Sequence, residues 1–258
     1  LIFVYNNKEK ECMERSGIVS PEKIVVTGSM RMDKLLPIPK SSIYDEHINS
    51  VTLFSFRHAF GGMRLGEDED IANGGFSFSG NTGCVNYFNH VHGAIAKFAL
   101  DNPSVPVYIK PKWMGGWYES IAKAIKKETG FYPDEINNLR IGIDIKAQDL
   151  INCSKVIIGI NSTALIESRI MGRKVIIPVF DELITKYDKH IYYKKYFDNE
   201  FVKVNNTTQL NQEIYKLLNE KNTSPASNNL ITEFLGFNDS NSKNRVLQSM
   251  SAIKLKSS

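Results

Sequence analysis

Between Lys155 and Pro178 the chain runs through a continuous apolar stretch, a turn of small polar residues, a helix-length segment and a second continuous apolar stretch. No other feature constrains the fold as tightly. Val156 to Ile160 and Val175 to Pro178 lack the alternation of a half-exposed strand. Both faces of each strand are therefore expected to be buried, as in a parallel sheet covered by helices. Parallel neighbours need a crossover, and Ser162 to Met171 has the length for one, with Gly172 as its stop.

The same order repeats upstream. Strands are predicted at Val51–Phe56, Val105–Lys110 and Leu139–Ile143. Helices are predicted at Val85–Leu100, Trp117–Thr129 (stopped by Gly130) and Ala147–Cys153, the last with Asp144 as a candidate cap. This alternation predicts an α/β class: a Rossmann-like parallel sheet with helices on both faces. Ahead of it, Leu1–Tyr5 and Lys23–Thr27 read as strands around a helix that Gly17 ends. Pro37 to Ser42, with two prolines and two serines, reads as a boundary between domains. Beyond Asp181 the chain reads as mostly helical, with a polar loop from Asn219 to Asn229 and a closing helix from Asp239 to Leu255.

Composition excludes several classes. The net charge is +4, from 32 basic and 28 acidic residues, which is too even to call for nucleic acid. Cys12, Cys84 and Cys153 are odd in number and far apart, which fits neither a disulfide framework nor a zinc site. A reducing cytosol follows as the default. No apolar run approaches the roughly 18 residues of a membrane span.

The chemistry centres on Asn161, Ser162 and Thr163. Their side chains can cap the helix that follows, as Ser and Thr do in every fold. The first amide N–H groups of that helix point outward, and the dipole adds positive partial charge there, which together suit an anion. Glu167, one turn on, can accept hydrogen bonds from a ribose diol. The complete strand–turn–helix–Gly–strand unit favours the ligand reading over a plain cap, and suits a nucleotide mono- or diphosphate lying across the strand ends.

Arg57 and His58 follow the first strand of the second region, at the strand end that faces a cleft in a parallel sheet. They suit phosphate charge and proton donation, or a solvated loop. Glu67 to Asp70 read as solvated carboxylates rather than a metal site, and no metal is expected. His90 and His92, two apart on a helix, do not share a face. Trp113 and Trp117 suit stacking on a base or sugar, or a core or lid role. Tyr187, Tyr192, Tyr193 and Tyr196 read as helical core, with sugar contact as the alternative.

The segment around Asn161–Glu167 resembles the nucleotide-binding motif of GT-B glycosyltransferases, with the turn holding phosphate and the Glu holding ribose. Thr27-Gly28-Ser29-Met30-Arg31-Met32-Asp33 resembles the TGxPRxD element near the domain junction of that superfamily, with Met30 in place of the common Pro. Val107 to Lys112 resembles its KPHP-type strand end, with Lys112 in place of His. That leaves Lys110 and Lys112 as cationic phosphate contacts. Gly28, Arg31 and Asp33 are the junction residues in this resemblance.

The closest likeness is to bacterial surface-carbohydrate enzymes of the capsule and lipopolysaccharide type. UDP-N-acetylglucosamine 2-epimerases and CDP-glycerol glycerophosphotransferases share such elements. The resemblance implies a glycosyltransferase with a nucleotide-sugar co-substrate and no further cofactor. It also implies a glycan or lipid-linked acceptor and a place in the cytoplasm, at the inner face of the plasma membrane. An isomerase of the same fold, a CDP-glycerol glycerophosphotransferase-like enzyme and a non-catalytic nucleotide-binding module are the alternatives. The expected layout is a remnant of an acceptor-side domain with its linker over residues 1–45, a nucleotide-sugar-binding domain over 46–235, and a helix over 236–258 returning to the first. An upstream domain, carrying the base that activates the acceptor, is expected to precede Leu1.

Overall fold

The computed structural model describes residues 1–33, 49–56, 83–112, 116–142, 144–185, 187–221 and 224–254. They fall into two compact units. The smaller is Leu1–Ser42 with Ile170–Gly172 and Ser224–Ser258; the larger is Ile43–Arg169 with Arg173–Thr223.

The larger unit is a six-stranded sheet, every pair parallel. Its strands are β3 (Ser50–Phe54), β4 (Val107–Lys110), β5 (Leu139–Ile141), β6 (Ser154–Gly159), β7 (Lys174–Pro178) and β8 (Val202–Val204), in the order β5-β4-β3-β6-β7-β8. Parallel strands cannot be joined by hairpins, so helices cross between them: α2 (Val85–Asp101), α3 (Gly116–Thr129), α4 (Ala147–Cys153), α5 (Thr163–Ile170) and the short α6 (Glu182–Thr185). α7 (Thr207–Asn219) follows β8. Crossovers of one hand leaving in opposite directions from β3 and β6 place helices on opposite faces, in keeping with central strands that carry no exposed side.

Val51, Leu53, Val156, Ile157 and Ile158 are all fully buried. Each such side chain contributes about 2 kcal/mol of transfer free energy. The buried hydroxyls between β3 and β6 satisfy one another. Ser50 Oγ donates to the Cys153 carbonyl at 2.8 Å, and Thr52 Oγ1 lies 2.7 Å from Ser154 Oγ.

Two local expectations differ. Val202–Val204 is a strand in a region expected to be helical; its two β-branched valines suit a strand, and it pairs with β7 at the sheet edge. Asp144 does not cap α4, whose N-cap Lys146 makes no side-chain capping bond. Asp144 pairs instead with Arg140 at 2.5 Å.

The smaller unit holds a parallel pair, β1 (Ile2–Val4) and β2 (Ile24–Val26), with α1 (Asn7–Ser16), α8 (Asn228–Leu235) and α9 (Ser242–Lys254). Asp33 caps α9: its two carboxylate oxygens accept from the amides of Ser242 at 3.2 Å and Lys243 at 2.9 Å. Gly28 has φ of 87°, and a Cβ there meets Ser242 Oγ at 2.6 Å, so the approach of α9 requires glycine. Arg245 lies over the Phe237 ring at 3.6 Å and donates to the Thr27 carbonyl at 3.3 Å. Arg31 is exposed.

Candidate functional site

The strand order places a reversal between β3 and β6. The chain leaves β3 toward β4 on one side and leaves β6 toward β7 on the other. In open parallel sheets the crevice that takes ligands opens at such a reversal, outside the carboxyl ends of the strands. Here those ends are Phe54 and Gly159, which are register partners. A Cβ at Gly159 meets the Phe54 carbonyl oxygen at 3.0 Å and Leu165 Cδ2 at 3.1 Å. Glycine therefore lets β3, β6 and α5 converge at the base of the crevice.

The turn after Gly159 is shaped by Asn161, whose φ of 50° lies in the left-handed region that Asn tolerates better than most side chains. Asn161 Oδ1 accepts from the amide of Tyr192 at 3.0 Å, which fixes the turn to the segment before β8. Ser162 closes the first turn of α5 with its own atoms: its carbonyl accepts from Leu165 N at 3.1 Å and its Oγ from Ala164 N at 3.3 Å. The amide N–H groups of Ser162 and Thr163 have no acceptor among the described residues. Two donors thus remain at the positive end of a helix dipole.

At the first turn of α2 the protein itself supplies an acceptor for two amides. Glu182 Oε1 accepts from Asn86 N at 3.1 Å and Glu182 Oε2 from Tyr87 N at 2.8 Å. The Tyr187 hydroxyl accepts from Gly83 N at 3.1 Å. A carboxylate of the protein thus occupies the mouth of α2, whereas two amides of the α5 turn have no acceptor among the described residues. Sequence reasoning missed Glu182 because its partners lie 95 and 96 residues away.

Glu167 sits in the second turn of α5 and is only 6% exposed. Lys110 ends β4 as the register partner of Phe54, half-buried, and burial lowers its pKa while Asp144 pulls it upward. Lys112 is exposed two residues further on. Both lie at the same end of the sheet as the α5 turn. Gly28, Arg31 and Asp33 belong to the smaller unit. Arg57, His58, the acidic run at 67–70 and Trp113 lie outside the described residues. Among the described residues no three His, Cys, Asp or Glu side chains gather as metal ligands.

Trp117 is 4% exposed and donates to Ser55 Oγ at 3.0 Å, which makes it a core residue rather than a stacking platform. His90 pairs with Asp181 at 2.7 Å, and His92 is fully buried. The tyrosine-rich stretch is not one helix: two 3-10 turns, Asp188–His190 and Lys194–Tyr196, carry it. Tyr193 and Tyr196 are buried, and burial pushes the Tyr193 hydroxyl up to about 12. Tyr192 is exposed beside the Asn161 turn.

No protein-family model and no curated protein matches this chain. Solved structures do match it. The wall teichoic acid polymerase TagF is 15% identical with a TM-score of 0.53; the match covers 99% of this chain and 57% of TagF. The UDP-GlcNAc 2-epimerase of Methanocaldococcus jannaschii, in complex with UDP-GlcNAc and UDP, is 13% identical with a TM-score of 0.52, covering 97% of this chain and 60% of that one. The chain thus spans under two thirds of the length of either. At these identities the likeness is one of architecture: the chain has an α/β fold of the GT-B type, a parallel sheet flanked by helices.

Proposed function

We propose that this chain carries the nucleotide-sugar-binding part of a glycosyltransferase that moves a sugar from a nucleotide donor to a bacterial surface glycan, free or lipid-linked. The observation that carries the reading is the pair of amides at Ser162 and Thr163 with no acceptor among the described residues, on a helix mouth at the sheet's reversal, while Glu182 holds two amides at the mouth of α2. In this reading the donor phosphoryl group sits on those amides beside Asn161, and Glu167 takes the ribose diol. Lys110, Lys112 and Arg57 offset the charge that develops on the departing nucleotide, and His58 supplies a proton. The nucleotide sugar is a co-substrate, and no metal or further cofactor takes part. Gly28, Arg31 and Asp33 are the domain-junction residues in this reading. The enzyme works in the cytoplasm, at the inner face of the membrane that carries the acceptor.

The fold supports the reading beyond the turn: it is shared with a protein solved with UDP-GlcNAc and UDP, and with a wall teichoic acid polymerase. Among the described residues no helix is long and apolar enough to cross a membrane.

The test is a thermal-shift screen with CMP, CDP, UDP and GDP, since a ligand that binds only the folded state raises its melting temperature. The decisive variant is Thr163→Pro. Thr163 is the first residue of α5, where proline keeps the helix but removes one of the two open N–H groups. The variant is expected to melt within a few degrees of the parent without ligand and to lose most of the nucleotide shift. A full shift in Thr163→Pro places the nucleotide elsewhere.

Sugar 2-epimerisation is the second reading, favoured by the epimerases among the fold matches. Incubation with UDP-N-acetylglucosamine separates the two: accumulation of the manno epimer without an acceptor means isomerase.

A further inference from the structure

Ser55 follows Phe54, the last residue of β3, whose register partner Gly159 leads into the α5 turn. Its amide donates to the Lys110 carbonyl at 3.0 Å, which prolongs the ladder to β4. Its hydroxyl is held from two sides, by Trp117 Nε1 at 3.0 Å and by His92 Nε2 at 2.9 Å. His92 Nδ1 lies 2.7 Å from the Phe88 carbonyl.

The groups at its ends set two directions in this chain. A carbonyl only accepts, so His92 Nδ1 carries a ring proton. An indole N–H only donates, so Ser55 Oγ accepts from Trp117. Full burial favours the neutral ring, whose bare Nε2 accepts the Ser55 hydroxyl hydrogen. The links run Trp117 to Ser55 to His92 to Phe88, joining β3, α2 and α3 through buried side chains. Phe56 continues the arrangement, stacked on Tyr87 at 4.9 Å, and the Tyr87 hydroxyl donates to the Pro178 carbonyl at 2.9 Å, at the end of β7.

We propose that His92 and Trp117 are positioning residues for the crevice: by locking Ser55 they fix the β3 wall against which the ligand on the α5 turn is seated. This rests on the nucleotide reading above. Neither side chain touches ligand; each acts through Ser55. The ring is neutral with its proton on Nδ1. A histidine present only to fill the core would leave ligand affinity indifferent to which of its nitrogens is replaced.

The experiment combines nucleotide titration with a spectroscopic readout on the whole chain. Nitrogen-15 spectra of the histidine rings at neutral pH are expected to show His92 protonated on Nδ1 and bare on Nε2. His92→Phe and Trp117→Phe each remove one link, and each is expected to weaken the preferred nucleotide by about 10-fold or more, as small misplacements in a seated site do. His92→Gln, which restores an acceptor for Ser55, is expected to recover most of that loss although it fills the core less well. Circular dichroism and the ligand-free melting temperature monitor folding, and Trp117→Phe keeps the test open should His92→Phe not fold.

A proton on Nε2 overturns the proposal. So does unchanged affinity in both phenylalanine variants, or equal loss in His92→Phe and His92→Gln; the nucleotide reading survives these results. A parent chain that binds none of the nucleotides overturns both.

Discussion

Gly159 sets the spacing of the two strands that flank the crevice. The Phe54 oxygen, 3.0 Å from the missing Cβ, cannot yield without moving a strand, and the buried Leu165 Cδ2 at 3.1 Å has to give by a few tenths of an ångström in a filled interior. Gly159→Ala is expected to cost about 1–3 kcal/mol, the range for overpacking a filled interior, read as a lower urea midpoint at unchanged slope. Lys110 makes a different prediction. Burial lowers its pKa from the ordinary 10.5, so in the window between the lowered value and 10.5 the unfolded chain holds this proton better than the folded one. Lys110 therefore costs stability below that window, and the cost is relieved as pH rises through it. A phosphoryl group nearby shifts the balance back toward the charged form. Nucleotide binding at alkaline pH is thus expected to take up protons, measured by calorimetry in buffers of different ionisation enthalpy. Lys110→Met is expected to abolish the uptake; an unchanged uptake removes Lys110 from the contact set.

Among the elements, α2 and α5 show how two helices of similar setting come to differ. α2 has two first-turn amides held by Glu182; α5 has only Ser162, which is too short to reach all its donors. Glu182→Ala is expected to destabilise the protein by about 1–2 kcal/mol in chemical denaturation, and Glu182→Gln by less, because the amide oxygen still accepts one bond. The elements themselves were largely legible. Continuous apolar runs announced β3, β6 and β7, and Gly130 and Gly172 marked the ends of α3 and α5. β8 was not legible, since three residues with an exposed Lys203 carry too little pattern to outweigh a helical surrounding. For the site, the α5 turn could be read from local sequence because caps are local chemistry. The Glu182 plug and the Ser55–His92–Trp117 chain could not, because their partners meet only after the sheet has assembled.

At the scale of the whole molecule, ligand and stability are linked by mass action. A nucleotide at 100 times its dissociation constant is expected to add about 2.7 kcal/mol, which for a chain of this size raises the melting temperature by roughly 5–10 °C. A preferred nucleotide that gives no rise at that saturation contradicts binding to the folded state. The two units also differ in how they can be born. The larger one draws almost all its residues from an unbroken middle stretch and can close while synthesis continues. The smaller one joins both ends of the chain. Asp33 leaves the ribosome more than two hundred residues before the Ser242 amide it must grip, and Gly28 waits as long for its neighbour. During that interval β1 and β2 have lost neither their appetite for a partner nor their exposure to a wrong one, and the last helix is the piece that ends the wait.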